Sequence, residues 1–301
     1  MNKRKKMNRS ITVSPFTNGV LNLVFILISV IFLYPVLLII MSSFASEQSL
    51  INDGYRIIPT AWSLDGYKNA MGGSNIYRAY RNTICASAIG TVSSVLIMML
   101  YAYPLTRPNF KHAYKFTFFA YFTTLFSGGL VPWYMVCTKV MHIDNTFFAL
   151  FLPHLVSSTN IIILRTFIKN DIPNEMIEAA KVDGASEWRI FFRFVIPLSK
   201  PAIATIGLFM LLSFWNDYYL PMMLISDEKL YNLQYYLQLI FLNAQMLAEN
   251  ASASAQVDMS TLPSETMRLA MCVLAMGPIQ IVYPFFQKYF ITGLTIGSVK
   301  G

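Results

Sequence analysis

From Ser10 to Ser46 the chain runs for 37 residues without an Asp, Glu, Lys or Arg. A bilayer core about 30 Å thick is crossed by roughly 20 apolar residues in a helix, so this run alone is long enough to span. Further uncharged runs occupy 82–106, 116–138, 145–164 and 269–287, and 201–226 is interrupted only by Asp217. These runs predict six spans, at 20–44, 82–104, 116–137, 146–167, 202–225 and 267–290. Composition agrees, with 13% charged and 55% hydrophobic residues among 301. A soluble domain carries about 25% charged residues. With 14 Gly, 14 Pro and 3 Cys, collagen-like and disulfide-scaffold readings fail as well. The fold class is all-α integral membrane, with six transmembrane helices.

A seventh uncharged run, Leu230 to Ala248, holds Asn232, Gln234, Gln238, Asn243 and Gln245. Each amide needs a partner in hydrocarbon. Leu233, Leu237, Ile240, Phe241 and Met246 recur at helical spacing, so the run reads as an amphipathic helix at the outer surface rather than a span. Orientation follows from Lys and Arg, which concentrate on the cytoplasmic side. With the N-terminus inside, cytoplasmic segments hold sixteen of the 23 and outer segments seven. Both termini are therefore expected in the cytoplasm, and the net charge of +8 is a topology signal rather than a nucleic-acid one. The basic residues Lys3 to Arg9 precede an apolar stretch far longer than the 7–15 residues of a signal peptide's core. A retained anchor fits better. The resulting plan is a cytoplasmic segment 1–19, a membrane domain 20–292 and a cytoplasmic tail 293–301. The membrane domain carries a cytoplasmic loop at 171–201 and an external loop at 227–265.

The cytoplasmic loop holds the strongest pattern. Asp171 and Pro173 open a helix, with Pro in the first turn and Glu175 at the positive end of the dipole. Met176, Ile177, Ala180 and Val182 give it a partly apolar surface. Gly184 can end it in a left-handed turn. Ser186 can cap a second helix bearing Trp188, Phe191, Phe192 and Phe194, which Pro197 and Pro201 stop. An amphipathic loop lying on lipid would explain those aromatics. It gives no reason for a short acidic helix with Ala179, Ala180 and a sharp turn, a combination that suits insertion into another protein's cleft.

Glu178-Ala179-Ala180, Asp183-Gly184-Ala185, Ile196-Pro197-Leu198 and Pro201 resemble the EAA loop of ATP-binding-cassette importer permeases, with Ile196 where Leu is commoner. Trp215-Asn216-Asp217 and the tail from Gly293 to Gly301 resemble the maltose-type (MalG-like) carbohydrate branch. The segments 126–132 and 102–105 are similar to its LplC/YtcP-like subgroup, associated with complex plant- or host-derived oligosaccharides. This resemblance implies the type I importer permease fold and a permease role in oligosaccharide import rather than enzymatic activity. Implied partners are a second, different permease, two ATPase subunits, an extracellular solute-binding protein and lipid, in a bacterial plasma membrane. Glu178, Ala179, Ala180, Asp183 and Gly184 would couple to the ATPase. ATP and magnesium would sit in the partner chains. Independently, a phosphate-binding loop needs Gly-Lys, and no Gly here precedes Lys.

Asp217 is the only acid within a predicted span, and burying it costs roughly 2.5–3.5 kcal/mol on insertion scales. It either lines a substrate path with Trp215, Asn216, Tyr218 and Tyr219 or holds a helix break before Pro221. Ala86, Gly90 and Ser94 make a small-residue stripe suited to close helix packing. Gly128 and Gly129 break the third span, as a kink or a gate. The segment 248–260 reads as a mobile outer loop, a linker or a probe of the binding protein. Cys85, Cys137, Cys272, His112, His142 and His154 show no metal-ligand spacing and read as packing or surface residues. A secondary transporter would need more intramembrane charge and repeated halves. A membrane enzyme would need clustered His or acids.

Overall fold

The computed structural model describes residues 14–72, 74–253 and 264–298. Its helices are α1 (Pro15–Ser42), α2 (Glu47–Asp53), α3 (Asp65–Met71), α4 (Ser74–Ala102), α5 (Ala113–Leu125) and α6 (Leu130–Met135). They continue with α7 (Ser158–Asp171), α8 (Asn174–Val182), α9 (Glu187–Ile190), α10 (Ile196–Leu198) and α11 (Lys200–Trp215). The last are α12 (Tyr219–Leu224), α13 (Leu233–Ala253) and α14 (Glu265–Ser298). Two compact units divide the chain: 1–70 with 264–273, and 71–263 with 274–301. Among the described residues, three helices are long and apolar enough to cross a membrane, or five if each of two bent pairs is one span.

In the first unit, Ser14 caps α1 by accepting from the Thr17 amide. The helix then runs 28 residues with a mean hydropathy of 3.1 in its most apolar stretch, none of which is buried within the chain. Beyond it, α2 and α3 pack beside the start of α14. Glu47 closes that arrangement: its carboxylate accepts from the Glu265 amide at 2.9 Å, the Thr266 amide at 3.0 Å and the Thr266 hydroxyl at 2.7 Å. Acidic groups belong at helix N-termini, where orphan amides carry partial positive charge. Gly66 lies so near that a Cβ there would meet the Thr266 carbonyl oxygen at 2.7 Å.

The second unit is organised around α4, α7 and α11, with α4 and α11 packed along their length. The small-residue stripe does what its spacing suggests. A Cβ on Gly90 would meet the Phe214 ring at 2.9 Å and Phe151 at 3.0 Å, and Ala86 and Ser94 are buried. A second, smaller cluster joins Ile76, Trp215, Leu233 and Ala275.

Several spans differ from their sequence outline, each for a local reason. The third is broken at residues 126–129, where Gly129 takes φ +86° and separates α5 from α6. The fourth is not α-helical from 146. It opens with 3₁₀ turns at Phe147–Leu150 and Leu152–His154 and becomes α-helical only at Ser158, after a 56° bend. Pro153 removes a donor that a regular ladder would need. The fifth stops at Trp215 and resumes as α12. The sixth continues past 290 to Ser298, so part of the expected tail is helical. Helix α13 forms where an amphipathic one was expected, yet its start is internal: Asn232 and Leu233 are buried. It also runs to Ala253, so 248–253 is helix rather than loop, and 254–260 lie outside the described residues.

In the loop at 171–201, Asp171 is the last residue of α7 rather than the opener of the next helix, and Pro173 is the residue just before α8. Pro197 does not stop the second helix. A π turn over Phe191–Val195 precedes it, the helix runs on to Leu198, and the chain turns by 79° at Ser199. Proline lacks the N–H of a regular i→i−4 bond, and a π turn reroutes the ladder around that gap.

Glu47 sets an acid limit on the first unit. Burial by itself would raise its carboxyl, but the hydrogen bonds from Thr266, Glu265 and Ser264 outweigh it and hold the group below its usual range. A carboxyl lower in the folded than in the unfolded state adds stability above the unfolded value, about pH 4.3, and loses it as pH falls further. Thermal melts of purified protein between pH 7 and pH 3 should show this loss, and Glu47→Ala should cost about 1 kcal/mol at pH 7 with a flatter acid response. An unchanged acid profile in Glu47→Ala would contradict the cap.

Candidate coupling site and substrate path

Helix α8 has two faces. Ile177 and Ala180 are buried in the main core together with Leu164 and Ile168 of α7 and with Ile190, Phe191 and Val195. Glu178 and Ala179 are exposed, as is Asp183 just past the helix. Val182, at 88% exposure, projects outward from the last turn. The pair of small residues therefore splits: Ala180 seats the helix on its own protein, and only Ala179 is open to a partner. Periodicity explains the split, since positions one apart on a helix point about 100° away from each other.

The end of α8 is a Schellman turn. The Ala185 amide donates to the Ala180 carbonyl at 2.9 Å and the Gly184 amide to Lys181 at 3.0 Å, with Gly184 at φ +77°. That left-handed geometry is the one glycine tolerates without strain. Ser186 then caps α9, its hydroxyl accepting from the Arg189 amide. On this second helix Trp188 and Phe192 are exposed and stacked, with centroids 6.1 Å apart.

Sequence reasoning missed the residues that tie this loop to the membrane helices. Tyr103 follows directly after α4, buried against Phe191 at 5.5 Å between centroids, with the Arg107 guanidinium 5.0 Å over its ring. Its hydroxyl donates to Glu187 Oε2 at 2.6 Å, and the Lys181 ammonium lies 2.5 Å from Oε1. Burial alone would raise the Glu187 carboxyl, but the Lys181 and Tyr103 hydrogen bonds hold it below its ordinary value. A groove of about 360 Å³ runs along these side chains, lined also by Phe110 and Phe191. No sequence spacing links Tyr103 with Glu187, so only folding reveals the pair.

The residues proposed from sequence for a substrate path do not form one wall. Trp215 is buried and its indole N–H donates to the Ala275 carbonyl at 3.0 Å. Asn216 and Tyr218 are exposed, whereas Asp217 is buried. Asp217 Oδ1 accepts from the amides of Tyr219 at 2.8 Å and Leu220 at 3.1 Å, so it caps α12 across the helix break. The Asn232 side chain donates to the Asp217 carbonyl. Among the described residues Asp217 Oδ2 has no hydrogen-bond partner, and it lies 3.7 Å from His154 Nδ1. His154 reads from sequence as a packing or surface residue, because its neighbourhood with Asp217 exists only once the 3₁₀ turn before α7 packs beside the fifth span.

The family model for the binding-protein-dependent transport system inner membrane component matches residues 12–296. The polygalacturonan/rhamnogalacturonan transport system permease protein YtcP of Bacillus subtilis is 36% identical over 285 residues, covering 93% of this chain and 95% of that one. Protein LplC of the same organism is 35% identical, covering 91% of each chain. A crystal structure of a bacterial ABC transporter involved in the import of the acidic polysaccharide alginate superposes with a TM-score of 0.78 at 27% identity. That superposition covers 96% of this chain and all of the other.

The cap at Asp217 makes a test that separates structure from chemistry. Asp217→Asn keeps an acceptor for the Tyr219 and Leu220 amides and should melt close to the parent. Asp217→Ala removes it and should cost about 1–2 kcal/mol. Equal melting of Asp217→Ala and the parent in detergent would show that the cap is idle.

Proposed function

The chain belongs to the family of binding-protein-dependent transport system inner membrane components, and from that premise we propose how it engages its partners and its cargo. It is a membrane-spanning permease subunit of an ATP-binding-cassette importer that moves a sugar into the cell, driven by ATP hydrolysis in partner subunits. It is a transport component, not an enzyme. The cargo class proposed is an oligosaccharide of acidic character. The support is that YtcP is named for polygalacturonan and rhamnogalacturonan and the solved transporter for alginate.

The observation that carries the reading is the outward face of α8. It offers Glu178, the minimal side chain of Ala179 and the exposed Val182, on a helix whose exit is fixed by Gly184. This face docks into a cleft of an ATPase subunit, one of a pair that holds ATP and magnesium. Glu178 pairs there with a basic group, and Asp183 and Gly184 set the approach. Helix α1 offers 28 predominantly apolar residues to a second permease, and membrane helices associate through van der Waals packing of such surfaces. An extracellular solute-binding protein delivers the sugar. The assembly sits in a bacterial plasma membrane with both termini cytoplasmic, a placement supported by the Lys and Arg asymmetry.

Two measurements decide the matter. Ala179→Trp should abolish co-purification of the ATPase while the permease still inserts, and Glu178→Lys should weaken it. Ala180→Trp, by contrast, should damage the protein's own core. Undiminished capture of the ATPase by Ala179→Trp would remove α8 as the docking element. In a background lacking Cys85, Cys137 and Cys272, an impermeant thiol reagent applied to intact cells should label Lys68→Cys and spare Ser186→Cys. The opposite pattern would invert the topology.

A further inference from the structure

We propose that Glu187, held between Tyr103 and Lys181, is a positioning residue that makes docking helix α8 and the end of α4 move as one body. The proposal rests on the docking role given to α8 above. Each carboxylate oxygen of Glu187 is taken by a different element. Oε1 receives Lys181 from the last turn of α8, and Oε2 receives the Tyr103 hydroxyl from the end of α4. Glu187 itself opens α9, on the far side of the Gly184 turn. The joint therefore bridges the turn and, at the same time, reaches a spanning helix that the backbone path meets only through α7 and the segments before it.

Two features make this joint a transmitter of position rather than a source of stability. Apolar packing is non-directional, and the buried Ile177 and Ala180 alone would let α8 slide or rock on α7 and α9. Charge-assisted hydrogen bonds fix distance and direction. Their stabilising effect is small here, because the Lys181 and Glu187 side chains are 37% and 53% exposed and solvent-exposed pairs contribute little. Tyr103 is a firm anchor: Phe191 lies against its ring and the Arg107 guanidinium stands over it. The groove of about 360 Å³ beside the joint leaves room for these polar side chains to part without disturbing the core.

The experiment uses the assembled importer, with the native cysteines replaced and spin labels at Asn174→Cys on α8 and Asn109→Cys beyond α4. Distances are read without nucleotide and after trapping with ATP and vanadate, so no sugar is needed. In the parent one narrow distance population should persist in both states. Tyr103→Phe keeps the ring and loses the hydroxyl, and Glu187→Gln loses the charge. Both should retain the ATPase and the parent's melting temperature, yet show a second, shifted population when trapped. Sugar uptake by whole cells should fall by about two- to thirtyfold, the range of coupling changes from such residues. Lys181→Arg keeps a cation on Oε1 and should match the parent. A parent distance that changes on trapping would overturn the proposal, as would a single unshifted population in both Tyr103→Phe and Glu187→Gln. Loss of the ATPase from those two variants would overturn it as well, by making the joint part of the docking surface. The docking reading fails separately, through Ala179→Trp.

Discussion

In hydrocarbon, a peptide N–H or C=O that leaves a regular helix has no water to turn to. Among the described residues, several interruptions of a span are accordingly accompanied by a substitute partner. At the break in the fifth span, Asp217 accepts from two amides and the Asn232 side chain donates to a freed carbonyl. Before α7, the Ser157 hydroxyl accepts from the Asn160 amide. Near the start of the second span, Asn82 donates to the Lys229 and Tyr231 carbonyls, and Thr83 accepts from the Leu233 amide. These polar side chains stand out in an apolar sequence because they allow the chain to bend where a straight helix would continue.

The same constraint separates two kinds of helix. Helix α4 approaches α11 through Gly90 so closely that a methyl group there would collide with Phe214 and Phe151. Membrane helices associate through such close van der Waals packing, since lipid tails are as apolar as leucine. Helix α1, in the other unit, shows an apolar stretch that is exposed among the described residues. A chain of this family works with other transport subunits.

In the loop at 171–201 the chemistry changes from packing to charge. The loop that carries α8 keeps Ile177 and Ala180 inside and directs Glu178, Ala179 and Val182 outward. The Schellman turn at Gly184 sets the angle between α8 and α9, and Glu187 bridges that turn to the end of α4. Shape at this site is thus held by a mixture of apolar contacts, which seat the helix, and charged hydrogen bonds, which orient it.

Much of this was legible in the order of residues. Charge-free runs mark the spans because an ionised group in hydrocarbon is costly, and Gly184 and Ser186 mark their turn and cap by local chemistry alone. The glycine break in the third span and the small-residue stripe of α4 belong to the same class, as both are decided within a few residues. What the sequence could not supply is which residues far apart become neighbours. Ala179 and Ala180 look alike in a motif, and only the packing of α8 on α7 turns one inward and the other out. That Asp217 accepts from the first amides of α12 is likewise visible only in the fold. His154 beside Asp217 and Tyr103 on Glu187 have no signature at all. Hydrophobicity and turn chemistry act locally and leave a local trace, whereas a hydrogen bond between distant side chains is created by the tertiary arrangement that brings them together.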